Sequence, residues 1–177
     1  MHRLFVAIRP PETVRDALID AMDDSPVLGW VPDDNLHLTL RFIGAVERPQ
    51  AEELALALAQ IRSVRFNLMI HGVGKFEQRK GGAVWAGVAP KAPVAALAGK
   101  VDRACQSAGL PPEHRAFHPH ITLARFGRNA KGEVEPFLRR NAGLASVNFA
   151  VDAFHLFESR LSRHGAHYQA VAAFPLA

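Results

Sequence analysis

The sequence predicts an α+β fold: a bilobal internal duplication in which two mostly antiparallel sheets flank a central cleft, with helices on the outer faces. Three observations lead there. The string His37-Leu38-Thr39-Leu40 returns as His120-Ile121-Thr122-Leu123. The longer stretches HLTLRFIG and HITLARFG keep His, Thr, Leu and Gly at identical offsets. The order strand, helix, HxT strand, helix, strand also occurs twice, with 34 residues from Arg3 to His37 and 37 from Ala83 to His120. One domain spanning residues 1–177, with repeat halves of about 1–80 and 81–177, is therefore expected. Each βα unit buries one face only by packing on a neighbour, so the two halves should meet around a pseudo-two-fold axis.

The elements follow in order. Arg3 to Ile8 reads as a strand closed by Pro10-Pro11. Thr13 with Asp16 three residues on resembles a capping box. Val14, Ala17, Leu18, Ala21 and Met22 then form one helical apolar stripe, ended by Asp23-Asp24-Ser25-Pro26. Trp30 to Asn35 is a loop leading into a strand from His37 to Gly44. A second helix starts near Pro49 and carries Leu54, Ala57, Leu58 and Ile61 on one face. Val64 to His71 is the next strand, and Gln78 to Gly82 a basic, mobile loop. The pattern restarts with Ala83 to Val88 as a strand. A helix with Val94, Leu97, Ala98, Val101 and Cys105 on one stripe follows, with Gly109 as its C-cap. His118 to Phe126 is the second HxT strand, and a short helix runs through Val134, Phe137 and Leu138. Val147 to Glu158 is extended, but its apolar alternation changes phase between Val151 and Phe154, which places a bulge or strand junction near Asp152. Tyr168 to Phe174 is the last strand.

Composition narrows the function classes. Hydrophobic and charged contents of 49% and 21% are those of an ordinary globular protein. The five-residue apolar run before Arg9 is too short for a signal peptide or a membrane span. Cys105 is the only cysteine, which excludes an internal disulfide and a cysteine-rich zinc site; the cytoplasm is the default compartment. A net charge of +4 suits an anionic partner, and no block of five like charges forms a basic tail.

The doubled motif carries the chemistry. Residues i and i+2 of a strand share a face, so His37 stands beside Thr39, and His120 beside Thr122, with the leucines and isoleucine turned to the core. An imidazole, with an ordinary pKa of about 6.5, holds or releases a proton near neutrality. Two of them across a cleft can act as one base and one acid in a single turnover. Threonine hydroxyls add donors without negative charge, which suits an anionic substrate oxygen. Such a site fits in-line displacement at a phosphodiester. Strict alternation puts Arg41 on the His37 face and turns Arg125 away from His120 unless the strand bulges after Thr122.

These stretches resemble the two-histidine (2H) phosphoesterase superfamily, and within it the RNA 2′,3′-cyclic phosphodiesterases, the LigT- or ThpR-like 2′-5′ RNA ligases. The resemblance runs nearly end to end. It takes in Arg3 to Ile8, Trp30-Val31-Pro32 ahead of HLTLRFIG, Trp85, Pro119 to Arg125, and Glu158 to Ser162 ahead of Gly165 and Tyr168. It implies hydrolysis of an RNA 2′,3′-cyclic phosphate end to a 2′-phosphomonoester, with no metal and no cofactor. By position, His37 is then the proton donor and His120 the proton acceptor. Thr39, Thr122 and Arg125 bind the substrate phosphate. Reversible 2′-5′ RNA joining at the same site is a side activity. The internal duplication makes a monomer sufficient, with no membrane partner. Two rival readings stand beside this one. His118, His120 and His37 could hold zinc, but no acidic residue follows at i+2 or i+4 and the threonines would be idle. A non-catalytic RNA-binding module fits the charge and leaves the matched histidines unexplained.

Overall fold

The computed structural model describes all 177 residues. Nine strands and four helices alternate along the chain. The first half carries β1 (His2–Ile8), α1 (Glu12–Ala21), β2 (Leu28–Trp30), β3 (Leu38–Val46), α2 (Arg48–Ala59) and β4 (Phe66–Gln78). The second carries β5 (Gly81–Ala89), α3 (Lys91–Ser107), β6 (His120–Gly127), α4 (Lys131–Arg140), β7 (Phe149–Val151), β8 (Ala153–Ser162) and β9 (Gly165–Pro175). None of the helices is long and apolar enough to cross a membrane.

The fold is α+β, and its strands pair antiparallel in one curled sheet of order β7-β4-β5-β6-β3-β1-β8-β9, with β2 added beside β6. Where two sheets were expected there is one, and it divides into two wings. They join where β3 meets β6 at a single residue pair, Leu38 with Ile121. Membership of the wings does not follow the halves of the sequence. β4, from the first half, pairs with β5 and β7; β8 and β9, from the second, extend β1. Each wing thus takes its third strand from the other half of the chain.

Alternation along β1 shows how the sheet buries both faces. Leu4, Val6 and Ile8 enter the main core of 37 buried residues, which also holds Val14 and Leu18 of α1, Leu54 and Leu58 of α2, and the α3 stripe from Val94 to Cys105. Phe5 and Ala7 point the other way, into a small cluster with Phe157 that Tyr168 covers. That second face is the cleft side.

Local outcomes differ from expectation at the start of α1, ahead of the first motif and in the basic loop, and agree with it at Gly109 and near Asp152. Helix α1 starts behind Pro11 with no side-chain cap, so Thr13 and Asp16 make no capping box; Pro11 already sets an extended entry before the first turn. The stretch ahead of the first motif holds a short strand, β2, and a 3-10 turn over Asp33–Asn35. Strand β4 runs on to Gln78, which shrinks the basic loop to a two-residue hairpin turn of Arg79 and Lys80. Gly109 has φ +89° just past the end of α3, the left-handed conformation a helix C-terminus favours for glycine. The phase change near Asp152 is a junction, with β7 ending at Val151 and β8 starting at Ala153.

Candidate active site

The single β3–β6 pair builds the centre of the cleft. Leu38 and Ile121 are buried on the core side. Carried one residue in each direction, this antiparallel register sets His37 across from Thr122 and Thr39 across from His120. All four side chains share the face opposite the buried pair and are partly accessible. The two histidines and two threonines thus meet in one patch contributed by a single chain.

Each imidazole is oriented by the same local device. His37 Nδ1–H donates to the carbonyl of Asn35 at 2.6 Å, and His120 Nδ1–H donates to the carbonyl of His118 at 2.6 Å. A carbonyl oxygen has no proton to give, so Nδ1 must carry the hydrogen in both rings. Nε2 is left free toward the cleft in each. Strand alternation cannot reveal this bond, because it runs to the backbone two residues upstream of each motif. The identical offset is its only trace in the sequence.

Aromatic rings pack around both histidines. His37 lies 4.9 Å from Phe5 and meets Tyr168 edge-on at 5.4 Å, between ring centroids. His120 meets Phe76 edge-on at 4.9 Å, with Trp85 at 6.1 Å. Trp85 lies flat over Gly74, where an added Cβ would come within 2.3 Å of the indole; only glycine permits that approach. His118 packs its ring against Trp85 at 4.8 Å and Phe76 at 5.2 Å. It reaches the motif through the carbonyl under His120 and through its ring, 5.8 Å from that of His120 between centroids.

Two bulges settle the arginines. In β6, Trp85 faces Thr122 while Val84 faces Ala124, so Leu123 is an extra residue. The phase after it is reversed, and Arg125 comes back to the face of Thr122 and Trp85. In β3 the same position bulges: Ala7 faces Thr39, Val6 faces Arg41, and Leu40 is extra. Arg41 is thereby turned from the cleft face that alternation gives it to the core face of Val6, which corrects its placement. Only 7% of it is exposed, and it pairs with Asp102 of α3 and donates to the Pro111 carbonyl at 2.5 Å. The next residue, Phe42, takes the cleft position that Arg125 occupies in the other wing. It is paired with Phe5 and 56% exposed. The doubled motif therefore presents a cation on one side and an aromatic ring on the other.

Electrostatics favour an anion. Burial is the main cause lowering the pKa of both imidazoles; each hydrogen bond to the backbone opposes it. For His37 the positive charge of His120 and of Arg125 lowers it further, and for His120 that of His118 and Arg125 does. No carboxylate is among the groups bearing on either ring. From Thr39 and His120 a groove of about 460 Å³ continues toward α3, walled by Phe42, Phe76 and Phe117. That volume suits one nucleotide-sized occupant. Cys105 is fully buried in the α3 stripe, where burial pushes its thiol up to about 11 and keeps it unreactive.

A curled antiparallel sheet that brings two His-x-Thr strands face to face is the architecture of a two-histidine phosphoesterase. The sequence profile of the 2′-5′ RNA ligase superfamily matches residues 10–163, and the chain belongs to that family. It is 38% identical over 143 residues to the RNA 2′,3′-cyclic phosphodiesterase of Aeropyrum pernix, covering 78% of this chain and 81% of the relative. It is 32% identical over 171 residues to the Escherichia coli enzyme of the same name, covering 94% and 92%. Among solved structures, E. coli LigT in apo form superposes with a TM-score of 0.83 at 28% identity, covering 99% of this chain and 98% of that one. LigT complexed with 3′-AMP gives the same TM-score at 30% identity, with the same coverage.

Proposed function

We propose that this protein is a metal-independent RNA 2′,3′-cyclic phosphodiesterase that opens the cyclic phosphate to a 2′-phosphomonoester. The observation that carries the reading is the facing pair of identically oriented imidazoles, each with a threonine hydroxyl across the strand register and one arginine beside them. His120, neutral, takes a proton from water through Nε2 as the water oxygen bonds to phosphorus. The bond from phosphorus to the 3′ oxygen breaks on the opposite side. His37, protonated, delivers its proton to that oxygen. Thr39, Thr122 and Arg125 hold the non-bridging oxygens, whose negative charge has only donors and cations around it. The donor and acceptor roles follow the family assignment. Running the transesterification in reverse at the same phosphate joins 2′-5′ RNA ends. One chain supplies both histidines, so a monomer is competent, and the lone buried thiol fits the reducing cytoplasm where we place the reaction.

Incubating the protein with an RNA ending in a 2′,3′-cyclic phosphate, in excess chelator and without ATP, tests the reading. Phosphorus NMR should show a 2′-monophosphate accumulating at an undiminished rate. A 3′-monophosphate would reverse the leaving-group assignment, and loss of turnover with the chelator would require a metal.

The pH profile has a defined sign. The productive form carries His120 neutral and His37 protonated, so the rising limb is loss of the His120 proton and the falling limb loss of the His37 proton. Both pKa values are lowered in the free protein. The bell of kcat/KM, which reports the free enzyme, should therefore peak on the acid side of about 6.5. A bound phosphate anion favours both imidazolium forms, so the kcat bell should lie at higher pH than that of kcat/KM. Rates measured across about pH 5–9 that show no bell would rule out two titrating imidazoles.

A further inference from the structure

The carbonyl that fixes His37 belongs to Asn35, and that residue has a second attachment. Its side-chain Nδ2 donates to the Ala166 carbonyl of β9 at 2.9 Å. The hairpin of β8 and β9 extends past the end of β1 and curls over the cleft face, where Tyr168 meets both Phe5 and His37. The Asn35–Ala166 bond is where this hairpin is tied to the 3-10 turn that enters the first motif. The rest of the turn is held from the other side. Asp33 accepts from Arg15 of α1 at 3.0 Å, and Arg15 also donates to the Pro10 carbonyl at 2.7 Å. Asp34 accepts from Arg9 at 3.4 Å.

The two wings differ here. The His118 carbonyl, which fixes His120, is braced by packing of the His118 ring on Phe76 and Trp85. The Asn35 carbonyl is braced by its own carboxamide. We infer that Asn35 is a positioning residue for His37: its backbone oxygen selects the Nδ1–H tautomer, and its side chain holds that oxygen in place by tying the turn to the β8–β9 hairpin. The inference rests on His37 as the proton donor for its catalytic consequence, but its structural core does not. The titratable groups facing His37 are His120 and Arg125 from β6 and Tyr168 from β9, while Asp33 and Asp34 in the turn are engaged by Arg15 and Arg9. Removing the carboxamide of Asn35 changes none of these charges.

The test replaces Asn35 with alanine and reads imidazole nitrogen shifts by NMR, together with kcat and KM against pH. In the parent protein both histidines should be Nδ1–H when neutral. In Asn35→Ala, His37 should populate both tautomers while His120 stays Nδ1–H. The kcat should fall about 10–100-fold, part of the roughly 10²–10⁴-fold that a positioned general acid supplies, with KM changed less than about twofold. Asn35→Leu keeps the bulk, loses the donor without adding a charge, and gives the same tautomer reading should the alanine variant fail to fold. A His37 that stays wholly Nδ1–H, or two histidines that lose order together, overturns the inference. Mixed tautomers at His37 with unchanged kcat would leave the positioning intact and remove His37 as proton donor, so the two readings fail separately.

Discussion

Replacing His120 with alanine should lower kcat on an RNA 2′,3′-cyclic phosphate end by about 10²–10⁴-fold, the contribution of a positioned general base. RNA binding should stay within a few fold, because Thr39, Thr122, Arg125 and the groove walls remain. The rising limb of the pH profile should vanish with it, since that limb is the His120 titration. Replacing His37 should cost a similar factor and remove the falling limb instead. The double replacement should cost far less than the product of the two, because the pair acts as a unit. Steady-state kinetics with fluorescence binding on the same preparations decides the matter. Turnover that survives in His120→Ala sinks the acid–base reading and leaves a module that only binds RNA.

The second large effect is on stability. Asp102→Ala should destabilise the fold by about 3 kcal/mol, the low end of the range for stripping one partner from a buried ion pair. The low end applies because Asp102 is 23% exposed while Arg41 is only 7% exposed. Asp102 Oδ1 also accepts the backbone N–H of Glu113 at 3.0 Å, and Arg41 holds the Pro111 carbonyl. The ion pair therefore fastens the segment that leads into His118 and His120. At this chain length the loss corresponds to a fall in Tm of about 6–12 °C, measurable by calorimetry. The double variant Arg41→Met with Asp102→Leu should recover only part of it, because an apolar pair replaces a buried ion pair at little cost but leaves the Glu113 N–H and the Pro111 carbonyl without these partners. An unchanged Tm in Asp102→Ala would show that Arg41 is solvated in solution.

How much of this was legible beforehand depends on the range of the interaction concerned. The pairing of His37 with Thr39, and of His120 with Thr122, follows from a two-residue period that no tertiary contact overrides. The amphipathic stripes of α1 and α3 are equally local. Strict alternation misplaces Arg41 because it fails at Leu40, and it places Arg125 in the site only through the bulge after Thr122, which falls at Leu123. Each bulge is defined by the partner strand, so only the register against β1 or β5 reveals it. The repeat did hold the clue that both motifs share one geometry: whatever bulge serves one serves the other. The role of Asn35 was hidden for another reason, since its partner Ala166 lies 131 residues away and offers only a backbone carbonyl. A backbone acceptor leaves no mark on residue type. Tyr168 belonged to the family resemblance, but nothing in the period of its strand says that the hairpin curls back onto His37.

The exchange of third strands between the wings has a practical outcome for anyone who divides the protein. A cut at the Arg79–Lys80 turn gives one piece with β1 to β4 and another with β5 to β9. In the first, β4 is severed from both of its neighbours; in the second, β8 and β9 lose β1, the strand they are built on. Neither piece retains a complete wing, yet each carries what the other lacks. The nicked protein is thus a matched pair of fragments clasped through two reciprocal strands, suited to split-reporter designs in which activity returns only when both fragments meet.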